Sequence, residues 1–181
     1  MRTFNDFDWE VLDRRKHDVQ DFSSGFSVFD EHIRIDAILQ QSNGLSQTRV
    51  FTNGKHILAY YTAKCTKLQI DDTEQSGIGS KEKTVPAIEI PMLAVDQRLH
   101  RQGIGEELLQ EILYQSVTIS QLVGCRYLFL RAIKLEWLIR WYKDFGFKEI
   151  PFEVIDEFTQ PMSFKLPTVQ ELSEEEFESL F

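Results

Sequence analysis

The chain has 181 residues, of which 42% are hydrophobic and 27% charged, and it carries a formal net charge of −9. This is the composition of a folded domain with a real core, which excludes a disordered or fibrous chain. The acidic balance also excludes extended, nonspecific nucleic-acid binding driven by phosphate neutralisation, although five of the negative charges fall in the last eleven residues, ELSEEEFESLF.

No apolar run approaches the ~20 residues needed to span a bilayer, and the opening MRTFNDFDWE lacks the apolar stretch of a signal peptide. A cytoplasmic protein with no membrane contact is expected. Cys65 and Cys125 stand singly in apolar segments and read as reduced, packed thiols, without a disulfide framework or a metal set. Residues 1–170 are expected to form one domain and 171–181 an acidic tail.

In chain order, residues 4–16 read as a strand or irregular arm, with Arg14-Arg15-Lys16 as a solvated turn in preference to a phosphate site. A helix is expected from Phe22-Ser23-Ser24-Gly25 to Asn43-Gly44, with Val28, Phe29, Ile33, Ala37 and Ile38 as the stripe packed on a sheet. Strands 48–52 and 56–67 flank Asn53-Gly54-Lys55, a hairpin signal, and Tyr60 and Tyr61 then point to opposite faces. Residues 71–83 are polar and without period, and read as a mobile loop.

A strand over 85–95 follows, then a glycine turn and a helix over 104–120 that buries Leu108, Leu109, Ile112 and Leu113. Residues 126–131 read as a short buried strand. An amphipathic helix over 134–145 closes at Gly146, whose missing Cβ suits a left-handed cap. Strands near 147–150 and 162–166 complete the set, and Ser173-x-x-Glu176 marks either a final capped helix or a frayed acidic end. Together these make a mixed α/β sheet with helices on its faces.

The chemistry concentrates in 85–109, VPAIEIPMLAVDQRLHRQGIGEELL, which runs from strand through glycine turn to helix start. Gly103 and Gly105 let the backbone approach a ligand closely, and a helix N-terminus presents free N–H groups with partial positive charge. The turn is then either a cradle for a diphosphate or a strand-to-helix connection relieved by glycines. A second stretch, Trp141-Tyr142-Lys143-Asp144-Phe145-Gly146-Phe147, ends the amphipathic helix.

Leu93-Ala94-Val95-Asp96 followed by His100-Arg101-Gln102-Gly103-Ile104-Gly105 resembles the acyl-CoA pyrophosphate loop of the GNAT N-acetyltransferases. The second stretch resembles the GNAT segment in which an aromatic-Tyr pair precedes Gly-Phe. His100 stands where that family usually has Gln or Arg. The resemblance implies the GNAT fold, a mixed, mostly antiparallel sheet splayed in the middle with helices on both faces. It implies acetyl-CoA as cofactor, held by Leu93, Ala94, Val95, His100, Arg101, Gln102, Gly103, Ile104, Gly105 and Glu106. The splayed pair would be 88–95 and 126–131, with the backbone of Leu93 and Val95 pairing to pantetheine amides.

Tyr142 stands at the position of the family tyrosine that protonates the departing CoA thiolate. A thiol of pKa ~8.5 leaves more easily beside a phenol of pKa ~10 that donates a proton. Glu89 shares a strand face with Pro91, Leu93 and Val95, and is either the base for the acceptor amine or the partner of a neighbouring Lys or Arg. Arg98, Arg101, Arg131, Lys134, Arg140 and Lys143 read as CoA-phosphate contacts together with solvated helix charge.

A wider resemblance runs through Phe22-Ser23-Ser24-Gly25 with Phe29-Asp30 and Ile33, Leu58-Ala59-Tyr60-Tyr61, Leu93-Ala94-Val95-Asp96 and Trp141-Tyr142. It is to the GNAT toxins of toxin–antitoxin pairs, which acetylate the amino group of aminoacyl-tRNA. Met92 stands where those toxins usually have Arg, and Glu89 where they have an apolar residue. On these departures the first reading is acetyl transfer to a primary amine of a small molecule, peptide or protein. The alternative is toxin-like acetylation of charged tRNA, with an antitoxin partner. A non-catalytic acyl-CoA-binding module is a third reading, and the presence of Tyr142 argues against it. An exposed strand, or Phe177, Leu180 and Phe181 in the tail, offers a homodimer contact.

Overall fold

The computed structural model describes residues 8–151, 153 and 156–168. The expected tail helix at 173–176 and the first residues of the opening arm lie outside them. Seven strands form a sheet in the order β1-β2-β3-β4-β5-β7-β6, with β1 Asp8–Val11, β2 Gln47–Asn53, β3 His56–Gln69, β4 Thr84–Val95, β5 Tyr127–Ile133, β6 Lys148–Glu149 and β7 Thr159–Lys165. The pairs β1–β2, β2–β3, β5–β7 and β6–β7 are antiparallel, and β4–β5 is parallel. The chain divides into two compact units, Met1–Lys64 with Pro91–Glu111, and Cys65–Ile90 with Ile112–Phe181.

In the first unit, β2 and β3 form the expected hairpin. Its two-residue loop is Gly54-Lys55, where Gly54 takes a φ of 65° that a side chain would resist. The expected helix over 22–43 forms as α1 Ser27–Glu31, a wider π-helical turn His32–Asp36, and α2 Ala37–Ser42. Its start is gathered by Asp30, whose carboxylate accepts from the N–H and hydroxyl of Ser24, both at 2.7 Å, and from the Ser23 hydroxyl at 3.1 Å. These bonds hold the turn that leads into α1, whose N-cap residue, Phe26, offers no side-chain acceptor.

Ile33 and Ala37 are fully buried with Leu12, Phe22, Val50, Tyr60 and Ala94, and Phe29 and Ile38 pack against that core. Val28 departs from the expected stripe and is exposed. It precedes Ile33 by five residues, roughly 140° around a helix at 100° per residue, so it cannot share that face. A polar chain runs through the same unit, from His32 Nε2 to Thr62 Oγ1 at 3.1 Å and on to Thr48 Oγ1 at 2.9 Å.

The second unit builds its core from Leu68, Ile70, Val85, Ala87, Phe129 and Ile150, with Tyr127 against it. Within 71–83, the expected mobile loop is instead an ordered turn and a short helix, α3 Asp72–Gly77. Asp71 caps it by accepting from Glu74 N–H at 2.7 Å, and Glu74 in turn binds Arg126 Nε at 2.8 Å and the Tyr127 hydroxyl. A capped first turn anchored by a guanidinium is held where composition alone suggested freedom. Both cysteines are free, but Cys65 is exposed, so the expected packed thiol is corrected there. Among the described residues no helix is long and apolar enough to cross a membrane, and no His, Cys, Asp and Glu group is placed to hold a metal.

Candidate active site

The strand that leads to the glycine turn is paired only in part. β4 and β5 run in register from Ala87↔Tyr127 to Ile90↔Leu130, and no further pair follows. The next residue, Pro91, has no N–H to extend a ladder. The expected splay over 88–95 and 126–131 is therefore corrected at its start, since Ile88, Glu89 and Ile90 are paired and only residues from Pro91 onward lack a β5 partner. Leu93 and Val95 are half-buried, and Ala94 is buried in the core of the first unit.

Beyond Val95 the turn is seated by a carboxylate. Asp96, 1% exposed, accepts from Arg98 N–H at 2.9 Å, from Arg98 Nε and Nη2 at 2.8 Å each, and from Ser23 N–H at 3.3 Å. Burial works to raise its pKa, but the bonds from Arg98 and Ser23 prevail and hold it below the usual carboxylate value. Asp21 takes the other side of Arg98 at 2.9 Å and also meets His56 Nδ1 at 3.2 Å. The backbone is pinned as well, from Asp96 N–H to Leu58 O and from Gln97 N–H to Ser23 O, each at 2.8 Å.

On this base the chain makes the turn 100–103. Arg101 takes a φ of 63° and Gly103 one of 84°, backbone shapes that cost an ordinary residue energy and a glycine little. The Gly103 carbonyl accepts from Glu106 and Glu107 N–H at 3.0 and 3.2 Å and so starts α4, Ile104–Leu122. The N–H groups of Gly103, Ile104 and Gly105 meet no acceptor among the described residues, and a Cβ built on Gly103 would meet nothing within 4 Å. Three free donors at the head of a 19-residue helix, on an open face, fit a diphosphate. Glu106 and Glu107 in the first turn work against it. Glu107 is pushed above the usual carboxylate value by burial and then by the neighbouring charge of Glu106.

His100 and Gln102 fold back on the turn. His100 Nε2 lies 3.1 Å from Val95 O, and Gln102 Nε2 donates to Arg98 O at 3.2 Å. Arg101 is exposed, Ile104 is buried and Glu106 is exposed.

Tyr142 is set by the end of α5, Glu136–Asp144. Gly146, at φ 89°, donates to Lys143 O at 2.9 Å, and Phe147 N–H reaches back to Tyr142 O at 3.1 Å. This paired closure is a Schellman motif, and its usual apolar contact is the Tyr142–Phe147 ring pair, with centroids 5.5 Å apart. Trp141 packs edge-on against Tyr142 at 5.0 Å, and Phe147 rests on Phe164. The ring of Tyr142 is buried, and burial pushes its phenol pKa up. Its hydroxyl makes no hydrogen bond among the described residues. Glu89 lies half-buried on β4 opposite Phe129, and it has an interaction partner.

No protein-family model matches the chain. A tRNA-acetylating toxin of Mycobacterium tuberculosis is 25% identical over 116 residues, 64% of this chain and 70% of that protein. Among solved structures, AtaTR bound with acetyl-CoA matches with a TM-score of 0.74 at 23% identity, over 98% of this chain and 99% of that one. A tyrosine-to-phenylalanine mutant of the toxin KacT matches with 0.75 at 20% identity, over 97% and 99%. The fold is that of the GNAT toxins. AtaT complexed with acetyl-methionyl-tRNAfMet matches likewise, with 0.74 at 23% identity over 88% of this chain and 95% of that one.

Seen in the GNAT fold, the expected cofactor residues fall on the end of β4, one turn and the first residues of α4, all in the first unit, whereas Tyr142 and Glu89 belong to the second. Of the basic residues expected to meet CoA phosphates or to stand as solvated helix charge, four have partners within the chain. Arg98 is committed to Asp96 and Asp21, Arg131 meets Glu153 at 3.5 Å, Lys143 pairs with Glu149 at 2.5 Å, and Lys134 donates to Asp156 O. Arg101 and Arg140 show no such partner among the described residues. The sequence reading missed the Asp21–Arg98–Asp96 clamp, whose members are 77 residues apart at the extremes. It also missed Phe147 as the residue that fixes Tyr142, for which the pair Gly146-Phe147 was the available signal.

Proposed function

We propose that this chain is an acetyl-CoA-dependent N-acetyltransferase that acetylates the amino group of aminoacyl-tRNA. The observation that carries the reading is the 25% identity to a tRNA-acetylating toxin over 116 residues. The match in fold to AtaT complexed with acetyl-methionyl-tRNAfMet supports it. The acceptor preferred from sequence, a free amine of a small molecule or protein, thereby moves to second place. An antitoxin partner is part of the proposal, because AtaT is also matched in its complex with the C-terminus of the antitoxin AtaR.

The roles follow from the residues described. Acetyl-CoA supplies the acetyl group as a reactive thioester. The N–H groups of Gly103, Ile104 and Gly105 bind its diphosphate, and the backbone of Leu93 and Val95 pairs with pantetheine amides, as edge-strand groups do. His100 holds the Val95 carbonyl in place, and the Asp96 clamp fixes the turn. The acceptor nitrogen bonds to the acetyl carbon as the C–S bond breaks. Tyr142 gives its proton to the leaving sulfur, and the proton released by the amine returns to the phenol through solvent.

Burial suits Tyr142 to this work, since a phenol kept protonated at neutral pH is a donor ready for use. An α-amine of pKa ~7.7–8.0 is neutral often enough near neutral pH to attack without a strong base, unlike a lysine amine at ~10.4. Glu89 then serves as a structural partner on β4.

The test offers labelled acetyl-CoA with charged tRNA, a lysine peptide and a small amine in parallel. Label on the charged tRNA is the expected result. Label only on the peptide or amine would end the reading.

A further inference from the structure

In the unit that carries the glycine turn, the last residues of β4 present two different faces. Successive strand residues alternate, so Leu93 and Val95 share one face and Met92 and Ala94 the other. Ala94 is buried in the core with Phe22, Ile33 and Tyr60, and Met92, half-buried, packs against that same core. Phe29 of α1, also half-buried, packs there as well. Phe26 stands edge-on to Phe29 with ring centroids 6.2 Å apart, and 44% of its surface is exposed. The three side chains Phe26, Phe29 and Met92 hold no charge and no N–H or O–H group. They are apolar surface that the core leaves partly open to solvent.

The rings are held in place by the residues around the turn. Tyr60 Oη donates to Phe29 O at 2.8 Å, and Phe26 N–H donates to Ser24 Oγ at 3.1 Å. The neighbouring Ser23 is tied to the residue that follows Asp96. Its carbonyl accepts from Gln97 N–H at 2.8 Å and its hydroxyl from Gln97 Nε2 at 3.2 Å. The start of α1 is therefore fastened to the end of β4. A surface whose geometry is set before its ligand arrives gives up less entropy on binding.

We propose that Phe26, Phe29 and Met92 form the subsite for the amino-acid side chain of the acceptor, and that the acceptor is a tRNA charged with a large apolar amino acid. The inference rests on the aminoacyl-tRNA reading and narrows it. On the cofactor placement proposed above, Val95 lies nearer the glycine turn and Leu93 pairs with the pantetheine amide nearer the sulfur. The reacting carbonyl then comes to the residues that precede Leu93, namely Met92 and Pro91, where the β4–β5 ladder has already stopped. The attacking α-amine sits on the carbon that carries the amino-acid side chain, so that side chain arrives beside Met92 and the open apolar surface continuous with it. A charged side chain would lose water there and meet no partner. Glycine would leave the surface wet. The unbranched thioether of Met92 adapts to different apolar shapes, so the selection is for a class of large apolar side chains.

The test has a binding arm and a turnover arm, both on one tRNA body charged with leucine, phenylalanine, glycine or aspartate, so that only the side chain varies. In the first, the N-acetylated forms are titrated without acetyl-CoA into the full chain carrying methyl-labelled methionine. The leucine and phenylalanine forms should bind at least about 10-fold more tightly than the glycine form and shift the Met92 methyl signal saturably. In the second, kcat/KM for acetyl transfer should favour leucine and phenylalanine over glycine and aspartate by about 10–200-fold. Phe26→Ala and Met92→Gln should each cut the leucine-to-glycine ratio by about 5–10-fold. Val28→Ser removes a neighbouring exposed apolar side chain of α1 that is outside the subsite, and it should change the ratio less than about twofold. Because the Phe26 ring is well exposed, Phe26→Ala decides the matter if Met92→Gln unfolds.

Equal binding and turnover across the four side chains, or a preference for glycine or aspartate, would overturn the subsite and leave the proposed function standing. An apolar preference indifferent to Phe26→Ala and Met92→Gln, with the Met92 signal unmoved, would overturn the assignment to these residues. Failure of wild type to acetylate the tRNA in any charged form would strike the proposed function, while the binding arm, which needs no turnover, would still decide whether this surface takes an apolar side chain.

Discussion

Replacing Tyr142 by Phe removes one oxygen from a ring that the fold otherwise holds on three sides. The ring keeps its contacts with Trp141 and Phe147 and its place in the helix closure. The lost hydroxyl makes no hydrogen bond among the described residues, so the ~0.5–1.5 kcal/mol that such a bond contributes is not lost, and folding stability should stay within about 0.5 kcal/mol of wild type. The chemical step should suffer instead. A general acid contributes about 10²–10⁴ in rate, which is roughly 2.7–5.4 kcal/mol of barrier at 1.36 kcal/mol per decade.

Tyr60→Phe is the mirror control. Its hydroxyl donates to Phe29 O at 2.8 Å from a fully buried ring, so its loss should cost about 1–2 kcal/mol of stability and leave kcat near wild type. Urea unfolding and single-turnover acetyl transfer to charged tRNA read the two effects separately. Wild-type turnover in Tyr142→Phe, or a fall in turnover that merely tracks a fall in stability, would refute the role assigned to the hydroxyl.

Two further substitutions test how the site is held. Gly146→Ala should destabilise by about 1–2 kcal/mol, since it forces a Cβ into φ 89° and to 3.2 Å from Phe164 Cε2. Gly77→Ala, at an ordinary φ with open space around it, should be neutral or stabilise by up to about 1 kcal/mol, and equal urea midpoints for the two would contradict the cap. Asp96→Asn should cost about 2–3 kcal/mol at pH 7 by breaking charged bonds to Arg98. Because the folded carboxyl titrates below its unfolded value, that contribution is present above about pH 4 and is lost as pH falls through the folded pKa. Denaturation of both proteins from pH 7 to 3 should show the gap closing only below about pH 4, and a gap already closed at pH 6 would count against the clamp.

The parts legible in the sequence are those fixed by neighbours along the chain. Gly54, Gly103 and Gly146 each stand where the backbone takes a positive φ, and a glycine between periodic segments announces this directly. The order of 71–83 was not legible, because the Arg126 and Tyr127 partners that hold Glu74 lie 52 and 53 positions away. Pro91 marked where the β4–β5 ladder stops, yet the register that brings Ile88 and Glu89 into pairing depends on strand packing, which no local pattern encodes.

The clamp around Arg98 was invisible for the same reason. Asp21 and Asp96 are far apart in sequence, and the guanidinium they share looks, as a string of letters, like any free basic residue. Arg14 illustrates the reverse case, a residue inside a solvated run whose carbonyl partner Arg34 O lies on the π-helical turn twenty positions on.

The central claim concerns where the acetyl group ends. Charged tRNA incubated with the protein and acetyl-CoA, then digested to its terminal nucleoside and analysed by mass spectrometry, should yield aminoacyl-adenosine acetylated on the amino nitrogen, and far less of it with Tyr142→Phe. Aminoacyl-adenosine recovered unmodified, while the same preparation acetylates a peptide or small amine, would contradict the account.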